Sequence, residues 1–383
     1  MLISAQLLGY KMSQINVLHL MNNFDDASIS RITLRLIRYL GQEEYCWHVG
    51  ALSASGDMQA EFNRLGAKIA NFSEKRNDYQ SNNIEGIRDY IFNHKIRIVH
   101  THSPRTILKV VLSHIPDIIH ISTKHSLLSP GDRRWGSIHT LWDRFSLYMP
   151  NQIVAVSDAM YHQIISQPGL NKSHIVMIHN AIPVEHFYAP DQRDSFRSEL
   201  GLSTDLLLIG YSGRIEKVKR IDLLLLAFSD VLTRFPQARL ILAGEGDLKP
   251  QLQDYAAKLG IGNAVFWLGF CREIPRFLAA IDVYVQPSSS EGLSLSTLEA
   301  MAAGKPIIAT NVGGTNEILT EMETGILIPS KSSSAISGAI VDLLEHPGKR
   351  LRLGEAARRR VFKEFNIQSM IDSYDLIYKK FIP

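Results

Sequence analysis

The sequence predicts an α/β protein with two Rossmann-like domains that face each other across a cleft. Short β-rich runs alternate with helical stretches along the 383-residue chain, a pattern typical of parallel sheets built from βαβ units. One polar segment interrupts this series, which then begins again, and the break indicates two domains. Ligands of such sheets bind beyond the carboxyl ends of the strands, so the strand-to-helix turns are where chemistry is expected.

The first series contains six predicted strands. They are residues 15–20, 45–52, 97–100, 118–123, 152–156 and 177–184. Helices fill the gaps between them, for example over residues 29–40 and 105–114. The last strand runs into a turn at Pro183, which closes the first half of the chain.

A polar segment over residues 188–203 separates the two series. It combines several charges with a proline and a glycine, which is typical of a linker. We therefore predict an N-terminal domain over residues 1–195 and a C-terminal domain over residues 200–366. The second series has six predicted strands and at least two helices: strands 206–210, 239–243, 264–268, 282–286, 306–310 and 325–328, and helices 221–235 and 248–259.

Composition and charge exclude several classes of protein. The 41 Lys and Arg residues against 38 Asp and Glu residues give a net charge of +3, which is too small to indicate a nucleic-acid partner. Two cysteines, Cys46 and Cys271, cannot form a disulfide framework or a Cys-rich zinc site. No apolar run reaches the roughly 18–20 residues that span a bilayer, and residues 1–11 make a poor signal peptide. We expect a cytoplasmic protein.

Residues 287–306 form the segment richest in chemical signals. A small polar loop containing Gly292 follows a strand, and a helix then runs from Ser294 or Ser296 to Ala303. A helix N-terminus presents unpaired N–H groups that suit a phosphate. Glu291 and Glu299, eight residues apart, are candidates to flank it. In the alternative interpretation, Ser296 and Glu299 form a capping box, and Glu299 only caps its own helix.

Two further turns carry candidate residues. Arg214 and Lys219 follow the strand 206–210, and two cations at a strand end can hold a diphosphate. The alternative is a solvated basic loop, which we assign to the neighbouring Lys217 and Arg220. The turn after the next strand contains Gly244, where a nucleotide can lie close to the backbone.

Histidines end two strands of the first half. His100 and His102 follow one strand and His125 follows the next. A His-x-His pair can bind a metal, but the sequence shows no third ligand, so we predict neutral histidines that bind sugar hydroxyls. His120 lies inside a strand and is assigned a structural role. The chain contains no Asp-x-Asp, the kind of carboxylate pair with which Mg²⁺ or Mn²⁺ holds a nucleotide diphosphate. It also contains no Walker A motif and no GxGxxG after the first strand.

With these residues assembled, the chain resembles the retaining GT-B glycosyltransferases of family 4, which use nucleotide sugars. The resemblance covers most of the chain and is strongest in the second half. The family's Glu-x7-Glu signature corresponds to Glu291 and Glu299, and its SGR…K element to Ser212–Arg214 with Lys219. Further matching positions are the GEG turn at Gly244, residues 310–317, His100 to His102, Thr123 to His125, Val156 to Ser157, and Asn180.

The resemblance implies a role for each matching residue. Arg214 and Lys219 neutralise the donor diphosphate, and Glu299 holds the ribose. Glu291 and His125 contact the donor sugar. The remaining donor-side positions are Gly213, Gly244, Gly269, Phe270, Gly292, Leu293 and Ser294. The base is expected near Gly269 and Phe270, and the distal phosphate on the N–H groups near Leu293 and Ser294. No metal and no cofactor are required, and the helix over residues 367–383 packs back onto the first domain.

One segment departs from the family pattern. Members often have a Gly-Gly turn after the first strand, whereas this chain has Met21-Asn-Asn-Phe-Asp-Asp-Ala-Ser28. Asn and Asp tolerate unusual backbone conformations but add bulk. Asn22, Asn23 and Asp26, with His102, are therefore the candidate acceptor-side residues. The usual Asn-Gly after the closing strand is here Asn180-Ala181.

The first half also contains a basic and aromatic region. Its cations are Arg105, Lys109, Lys124, Arg133, Arg134 and Arg144, and its aromatic residues are Trp135, Trp142 and Phe145. Such a surface can dock on an anionic membrane and reach a lipid-linked acceptor. The alternative is a solvated helix whose aromatic residues belong to the core.

Three functions fit these signals. The first is a retaining, metal-independent glycosyltransferase that builds a polysaccharide, a lipopolysaccharide or a glycolipid on a glycan or lipid-linked acceptor. The second is another enzyme on the same fold, such as a nucleotide-sugar epimerase or a sugar-phosphate synthase. The third is a catalytically inactive module that binds nucleotide sugars. The complete Glu-x7-Glu signature favours transfer over epimerisation, and the intact Arg214 and Lys219 argue against an inactive module.

Overall fold

The computed structural model describes residues 14–25, 28–73, 82–127 and 136–382. The described chain divides into two compact units. The first contains the described residues up to Val156, together with Tyr161–Ile178 and the residues from Ile371 onward. The second contains Ser157–Met160 and His179–Met370. The prediction of two Rossmann-like domains, each with a parallel sheet, is confirmed.

The first unit is built on a seven-stranded sheet in the order β3-β2-β1-β4-β5-β6-β7. All of its paired strands are parallel. The strands are β1 Ile15–Met21, β2 Tyr45–Ala51, β3 Lys68–Asn71, β4 Ile98–Thr101, β5 Ile119–Lys124, β6 Gln152–Ala155 and β7 Ile175–Met177. The helices that follow them in the chain are α1 Ser28–Leu40, α2 Gln59–Arg64, α3 Asn82–Asn93, α4 Pro104–Leu112, α5 Gly136–Phe145 and α6 Asp158–Ile165.

The second unit is built on a six-stranded parallel sheet in the order β10-β9-β8-β11-β12-β13. The strands are β8 Leu207–Ser212, β9 Ala238–Ala243, β10 Val265–Gly269, β11 Val283–Gln286, β12 Ile307–Thr310 and β13 Ile326–Ile328. Its helices are α7 Arg193–Glu199, α8 Ile221–Arg234, α9 Lys249–Lys258, α10 Ile274–Ala280, α11 Leu295–Ala302, α12 Thr315–Ile318, α13 Ser333–Glu345 and α14 Pro347–Glu364. The last helix, α15 Ile367–Lys380, belongs to the first unit from Ile371 onward. In both sheets the strand order reverses beside the first strand, which creates the switch point where such folds bind ligands.

Apolar strands form the core of each unit. In the second unit Leu240 and Leu242 of β9 pack with Leu224 and Phe228 of α8 and Ile340 of α13. Four consecutive residues of β9 and all four of β11 are buried. A strand buried along its whole length needs cover on both faces, which explains why these strands read as continuous apolar runs.

The predicted strand over residues 177–184 is wrong in its position. The ladder with β6 covers only Ile175–Met177, and the amide of Ile178 makes one further bond to Ala155. Pro183, near the end of the predicted range, has no N–H to donate to a ladder. Ile182 instead forms an isolated bridge with Asn366. The sequence analysis also missed β3, a four-residue edge strand with two exposed positions.

The segment over residues 188–203, predicted to be a linker, is largely helical. It contains α7, whose Arg197 is fully buried. The Arg197 guanidinium donates to the carbonyls of Ala280, Thr204 and Leu206 at 2.8–2.9 Å and to Asp282 Oδ2 at 2.9 Å. These partners hold a cation in the interior of the second unit, so the polar composition of the segment does not indicate a linker.

Residues of α15 from Ile371 onward pack in the first unit. Tyr374 and Tyr378 are buried, and Tyr378 hydrogen-bonds His100 Nδ1 at 2.7 Å. Tyr45 donates to Asp375 at 2.6 Å. None of the described helices has the length and apolar character needed to cross a bilayer.

Candidate functional site

Three strand-to-helix turns of the second sheet are joined by backbone hydrogen bonds. The amide of Gly213, after β8, donates to Ala243 at 2.9 Å, and the amide of Gly244, after β9, donates to Gly269 at 2.7 Å. Gly213, Gly244 and Gly269, each predicted to bind the donor, therefore lie side by side along one edge of the sheet.

Gly244 is required by this close packing. A Cβ at this position would lie 1.9 Å from the carbonyl oxygen of Gly213, a distance that no side chain can occupy. The glycine thus lets two turns touch, and it leaves backbone rather than side chains on this edge. A ligand at the strand ends can then approach the peptide groups directly.

Lys219 and Glu291 form an ion pair in this unit. Lys219 Nζ lies 2.7 Å from Glu291 Oε1, with side-chain exposures of 19% and 9%. Gln286, at the end of β11, donates from Nε2 to the same oxygen at 2.7 Å. No described residue donates a hydrogen bond to Glu291 Oε2. Gln286 is a site residue that the sequence analysis missed, and its signal is a polar side chain at the buried end of an apolar strand.

Apart from Glu291, the side chains that contact Gln286 are polar but uncharged. Tyr284 donates to Gln286 Oε1 at 3.1 Å, and burial raises the pKa of Tyr284 to about 12. Gln286 Nε2 also reaches Ser288 Oγ at 2.9 Å. These bonds hold the Gln286 amide in place, and its bond to Glu291 therefore orients the carboxylate.

The loop that leads into α11 is held by hydrogen bonds to its own carbonyl oxygens. The amide of Gly314 donates to Gly292 at 3.1 Å, and Asn180 Nδ2 donates to the carbonyl of Leu293 at 3.2 Å. Both bonds use carbonyl oxygens, so they orient the peptide groups of the loop without using its N–H groups.

The N-terminus of α11 is capped by Ser294, whose Oγ accepts from the amide of Thr297 at 3.3 Å. The capping-box interpretation of Ser296 and Glu299 is therefore wrong. The helix begins at Leu295, and Glu299 is its fifth residue, 1% exposed. Glu299 lies too far along the helix to cap it, and its carboxylate needs another explanation.

Arg214 and Phe270 lie at the exposed margin of the second unit. Arg214 pairs with Glu216 at 2.6 Å, and its side chain is 59% exposed. Its carbonyl accepts from the buried Tyr211 hydroxyl at 2.9 Å. Phe270 is 44% exposed. In the described part of the chain, no hydrogen bond links Arg214 or Phe270 to Lys219 or Glu291.

Glu317 is a second residue whose role the sequence analysis missed. Its carboxylate accepts from the amides of Asp158 and Ala159 at 2.6 and 2.8 Å and lies 3.1 Å from His179 Nε2. Burial would raise the pKa of Glu317, but these hydrogen bonds lower it below its ordinary value. Glu317 thereby stays ionised at the N-terminus of α6, where its charge is favourable.

His102 and His125 of the first unit contact each other and a third imidazole. His102 Nδ1 lies 3.1 Å from His125 Nε2, and His102 Nε2 lies 3.0 Å from His19 Nδ1. The sequence analysis found no third ligand beside His100 and His102, because His19 lies 83 residues before His102 in the chain. Parallel pairing of β1 with β4 sets His19 opposite His100. Burial lowers the pKa of His125 to about 4 and that of His19 to about 3, so both are neutral at pH 7.

The candidate acceptor-side residues follow β1. Asn22 Oδ1 accepts from Ser103 Oγ at 2.9 Å, and Ser103 is the N-cap of α4. Asn23 donates to Asp25 Oδ2 at 2.5 Å. The amide side chains thus brace the turn that replaces the expected glycines. Asp26 lies outside the described residues.

The basic and aromatic region is described in part. Lys124 is not a surface cation as predicted, because its side chain is buried and Nζ binds Asp143 at 3.0 Å and Ser146 at 2.9 Å. Trp142 and Phe145 are 43% and 53% exposed, so they do not belong to the core. Three members of the region, Arg133, Arg134 and Trp135, lie outside the described residues.

A protein with two doubly wound parallel sheets, one of them carrying a site of this kind, falls in the GT-B class of glycosyltransferases. The match to known families is more specific. Residues 192–360 match the model for Glycosyl transferases group 1, and residues 29–186 match that for Glycosyltransferase Family 4. The chain is therefore a GT-B glycosyltransferase of family 4.

Relatives in the family are distant. An uncharacterized glycosyltransferase of Methanocaldococcus jannaschii is 27% identical over 74% of this chain and 75% of its own length. The lipopolysaccharide core biosynthesis mannosyltransferase LpsB of Rhizobium meliloti is 25% identical over 74% of this chain and 79% of its own. In other curated relatives the match covers between 50% and 61% of their length. HepE of Anabaena, solved in complex with UDP-glucose, aligns with a TM-score of 0.85, 19% identity, 96% of this chain and all of its own.

Proposed function

We propose that this protein is a retaining, metal-independent glycosyltransferase that moves a sugar from a nucleotide-diphosphate sugar to a glycan or lipid-linked acceptor. Its products would be cell-surface polysaccharide, lipopolysaccharide or glycolipid. The observation that carries the proposal is the Lys219–Glu291 pair, 2.7 Å apart, at the loop that enters α11. It sets a cation and a sugar-binding carboxylate beside a helix N-terminus suited to phosphate.

In this proposal the donor diphosphate lies between Lys219, Arg214 and the N-terminal amides of α11. The anomeric C–O bond breaks and its electron pair goes to the diphosphate, so negative charge develops there. An acceptor hydroxyl attacks from the same face and gives its proton to the departing phosphate oxygen. Preorganised donors of this kind are each worth about 10²–10³ in rate, which supplies charge stabilisation without a metal.

The remaining residues orient the donor. We assign Glu291 Oε2 to the sugar hydroxyls, because Oε1 already accepts from Lys219 and Gln286. Glu299 is assigned to the ribose and the exposed Phe270 to the base. His125 of the first unit is assigned to the donor sugar, and Asn22 and Asn23 to the acceptor. HepE, which shares the fold, binds UDP-glucose, and LpsB is a mannosyltransferase, which supports a nucleotide-sugar donor.

The test is a thermal-shift panel of UDP, GDP and ADP and their sugars in the presence of EDTA. A ligand at a hundredfold excess over its Kd stabilises the folded state by about 2.7 kcal/mol, so one base should give a clear rise in Tm. Glu299→Ala should weaken the binding of that nucleotide at least roughly tenfold, because one charge-assisted hydrogen bond is lost. Glu323→Ala, at an exposed position of the same unit, is the control and should keep the wild-type shift.

Other outcomes would overturn parts of the proposal. A shift that needs added Mn²⁺ would contradict metal independence. No shift with any nucleotide would favour the inactive module. A nucleotide sugar that is converted to its epimer, with no product on any acceptor, would favour an epimerase.

We also propose that α5 touches an anionic membrane where a lipid-linked acceptor resides. Trp142 and Phe145 are exposed and their rings contact edge to face, and Arg144 beside them is exposed. Inserting two aromatic rings is worth about 1.5–3 kcal/mol each, and the cation adds attraction to anionic lipid.

This contact is tested by sedimentation with phosphatidylglycerol or phosphatidylcholine vesicles. Wild type should sediment with the anionic vesicles, less so at high salt, and W142S/F145S should reduce the bound fraction at least about tenfold. Phe92→Ser is the matched control, because Phe92 is 81% exposed on α3. Equal binding of wild type and the double variant would contradict the proposal.

A further inference from the structure

Four histidines and one tyrosine of the first unit form a continuous hydrogen-bonded series, here named the imidazole chain. Its order is His125, His102, His19, Tyr378 and His100. The contacts are 3.1 Å from His125 Nε2 to His102 Nδ1, 3.0 Å from His102 Nε2 to His19 Nδ1, 3.4 Å from His19 Nε2 to the Tyr378 hydroxyl and 2.7 Å from that hydroxyl to His100 Nδ1. Beyond it, His100 Nε2 contacts Thr123 Oγ1 at 2.7 Å.

Within the imidazole chain and its contact with Thr123, every ring nitrogen of the four histidines except one has a hydrogen-bond partner. His125 Nδ1 is buried and has no hydrogen-bond partner among the described residues. His19, His100 and His102 also each offer a nitrogen within 4.8 Å of the others, a spacing compatible with a metal ion. Both nitrogens of each of these three rings, however, already contact a hydrogen-bond partner, so the imidazole chain explains the cluster directly.

Neutral imidazole has one N–H donor and one acceptor nitrogen. When such rings are joined in series, the tautomer of one ring fixes that of the next. All rings must therefore donate toward His125 or all must donate away from it. In the first case His125 carries its proton on Nδ1, and in the second case it carries it on Nε2.

Tyr378 decides between the two directions. Its hydroxyl has one proton, and it contacts His100 Nδ1 at 2.7 Å and His19 Nε2 at 3.4 Å. A separation of 2.7 Å is typical of an O–H donor, whereas N–H donors prefer 2.9–3.0 Å. The proton therefore lies toward His100, and the hydroxyl oxygen accepts from the N–H of His19. His19 must then accept from His102 at Nδ1, and His102 must accept from His125.

We propose that Tyr378 is a positioning residue that, through His19 and His102, holds His125 in the Nε2–H tautomer with its buried Nδ1 as an acceptor for a sugar hydroxyl. The role toward a sugar rests on the proposed function. The low pKa of His125, caused by burial, keeps Nδ1 unprotonated at neutral pH. His125 would thus orient a hydroxyl by accepting its proton in a hydrogen bond, and it would not act as a general acid.

The experiment is long-range ¹H–¹⁵N correlation NMR of the full chain labelled with ¹⁵N-histidine, at pH 7.5. The His125 signals are assigned by their loss in His125→Asn. We expect a pyrrole-type Nε2 and a pyridine-type Nδ1 for His125 in the wild type. A pyrrole-type Nδ1, two protonated nitrogens or a tautomer average would each overturn the proposal. No donor or acceptor is needed, so a protein that transfers no sugar yet shows this tautomer would overturn only the proposed function.

Tyr378→Phe removes the hydroxyl that sets the direction of the hydrogen bonds in the imidazole chain. We expect the His125 nitrogens of this variant to shift to intermediate values, because both tautomers become populated, with at least about a threefold loss of the Nε2–H preference. Tyr45→Phe is the matched control, because Tyr45 is also buried. Its hydroxyl donates to Asp375 of α15 and is not part of the imidazole chain. An unchanged His125 tautomer in Tyr378→Phe, or an equal change in Tyr45→Phe, would contradict the role of Tyr378. If Tyr378→Phe does not fold, the wild-type spectrum alone decides the tautomer.

Discussion

Lys219→Ala is expected to lower kcat by about 10²–10³ while changing the KM for the donor little. The ammonium group has three N–H donors, and Glu291 takes only one of them in the structure. The other two are available to a leaving diphosphate, whose charge grows only as the glycosidic bond breaks. An interaction that strengthens in the transition state affects kcat more than substrate binding.

Lys217→Ala is the matched control, because Lys217 is an exposed lysine of the same turn. It should keep wild-type kinetics, and the Tm of both variants should confirm that they are folded. Initial rates of nucleoside diphosphate release with the donor identified by the thermal-shift panel provide the measurement. A Lys219→Ala enzyme with wild-type kcat would show that the leaving-group argument is wrong.

Arg197→Leu should lower the free energy of unfolding by about 3–5 kcal/mol, the cost of removing one partner from a buried ion pair. The change leaves Asp282 without its buried cation and removes the guanidinium donor from the carbonyls of Ala280 and Leu206. The carbonyl of Thr204 keeps a second donor, Arg193, at 3.1 Å. Leucine fills much of the space but satisfies none of these groups. Urea unfolding followed by circular dichroism measures the loss.

Arg193→Leu is the comparison within the same helix. Its side chain is 35% exposed and pairs with the exposed Asp194 at 2.8 Å. It also donates to the carbonyl of Thr204 at 3.1 Å and lies 3.8 Å from Asp282, but Arg197 stays bound to both groups in this variant. Its removal should therefore cost less than about 1 kcal/mol. Equal losses in the free energy of unfolding for the two variants would mean that the buried contacts of Arg197 add no stability beyond those of a partly exposed arginine.

Most strands were predictable because a buried parallel strand is an uninterrupted apolar run between polar turns. The candidate donor residues were found by the same logic, since Arg214, Gly244 and Glu291 all follow such runs. Residue spacing alone could not place Glu299, because both Ser294 and Ser296 are possible N-caps. Only the observed bond from Thr297 to Ser294 separates the two interpretations.

Other features depend on contacts between distant parts of the chain. His19 faces His100 only through strand pairing, and Arg197 is recognisable as an interior residue only from its four partners. The composition of residues 188–203 is the same in a linker and in a helix whose one buried charge is neutralised. Strand β7 covers Ile175–Met177 and not residues 177–184, and Ile182 pairs with Asn366 from the far end of the chain. Each of these errors reflects tertiary structure prevailing over local pattern.

The position of α15 has a consequence for the order of folding during translation. Residues from 371 onward belong to the first unit, although the ribosome makes them after all the strands of the second unit. Until they emerge, His100 has no phenol to bind and the nascent first unit has an incomplete polar interior. The second unit, whose six strands are already available, can become native first, which reverses the usual order in which N-terminal domains fold ahead of later ones.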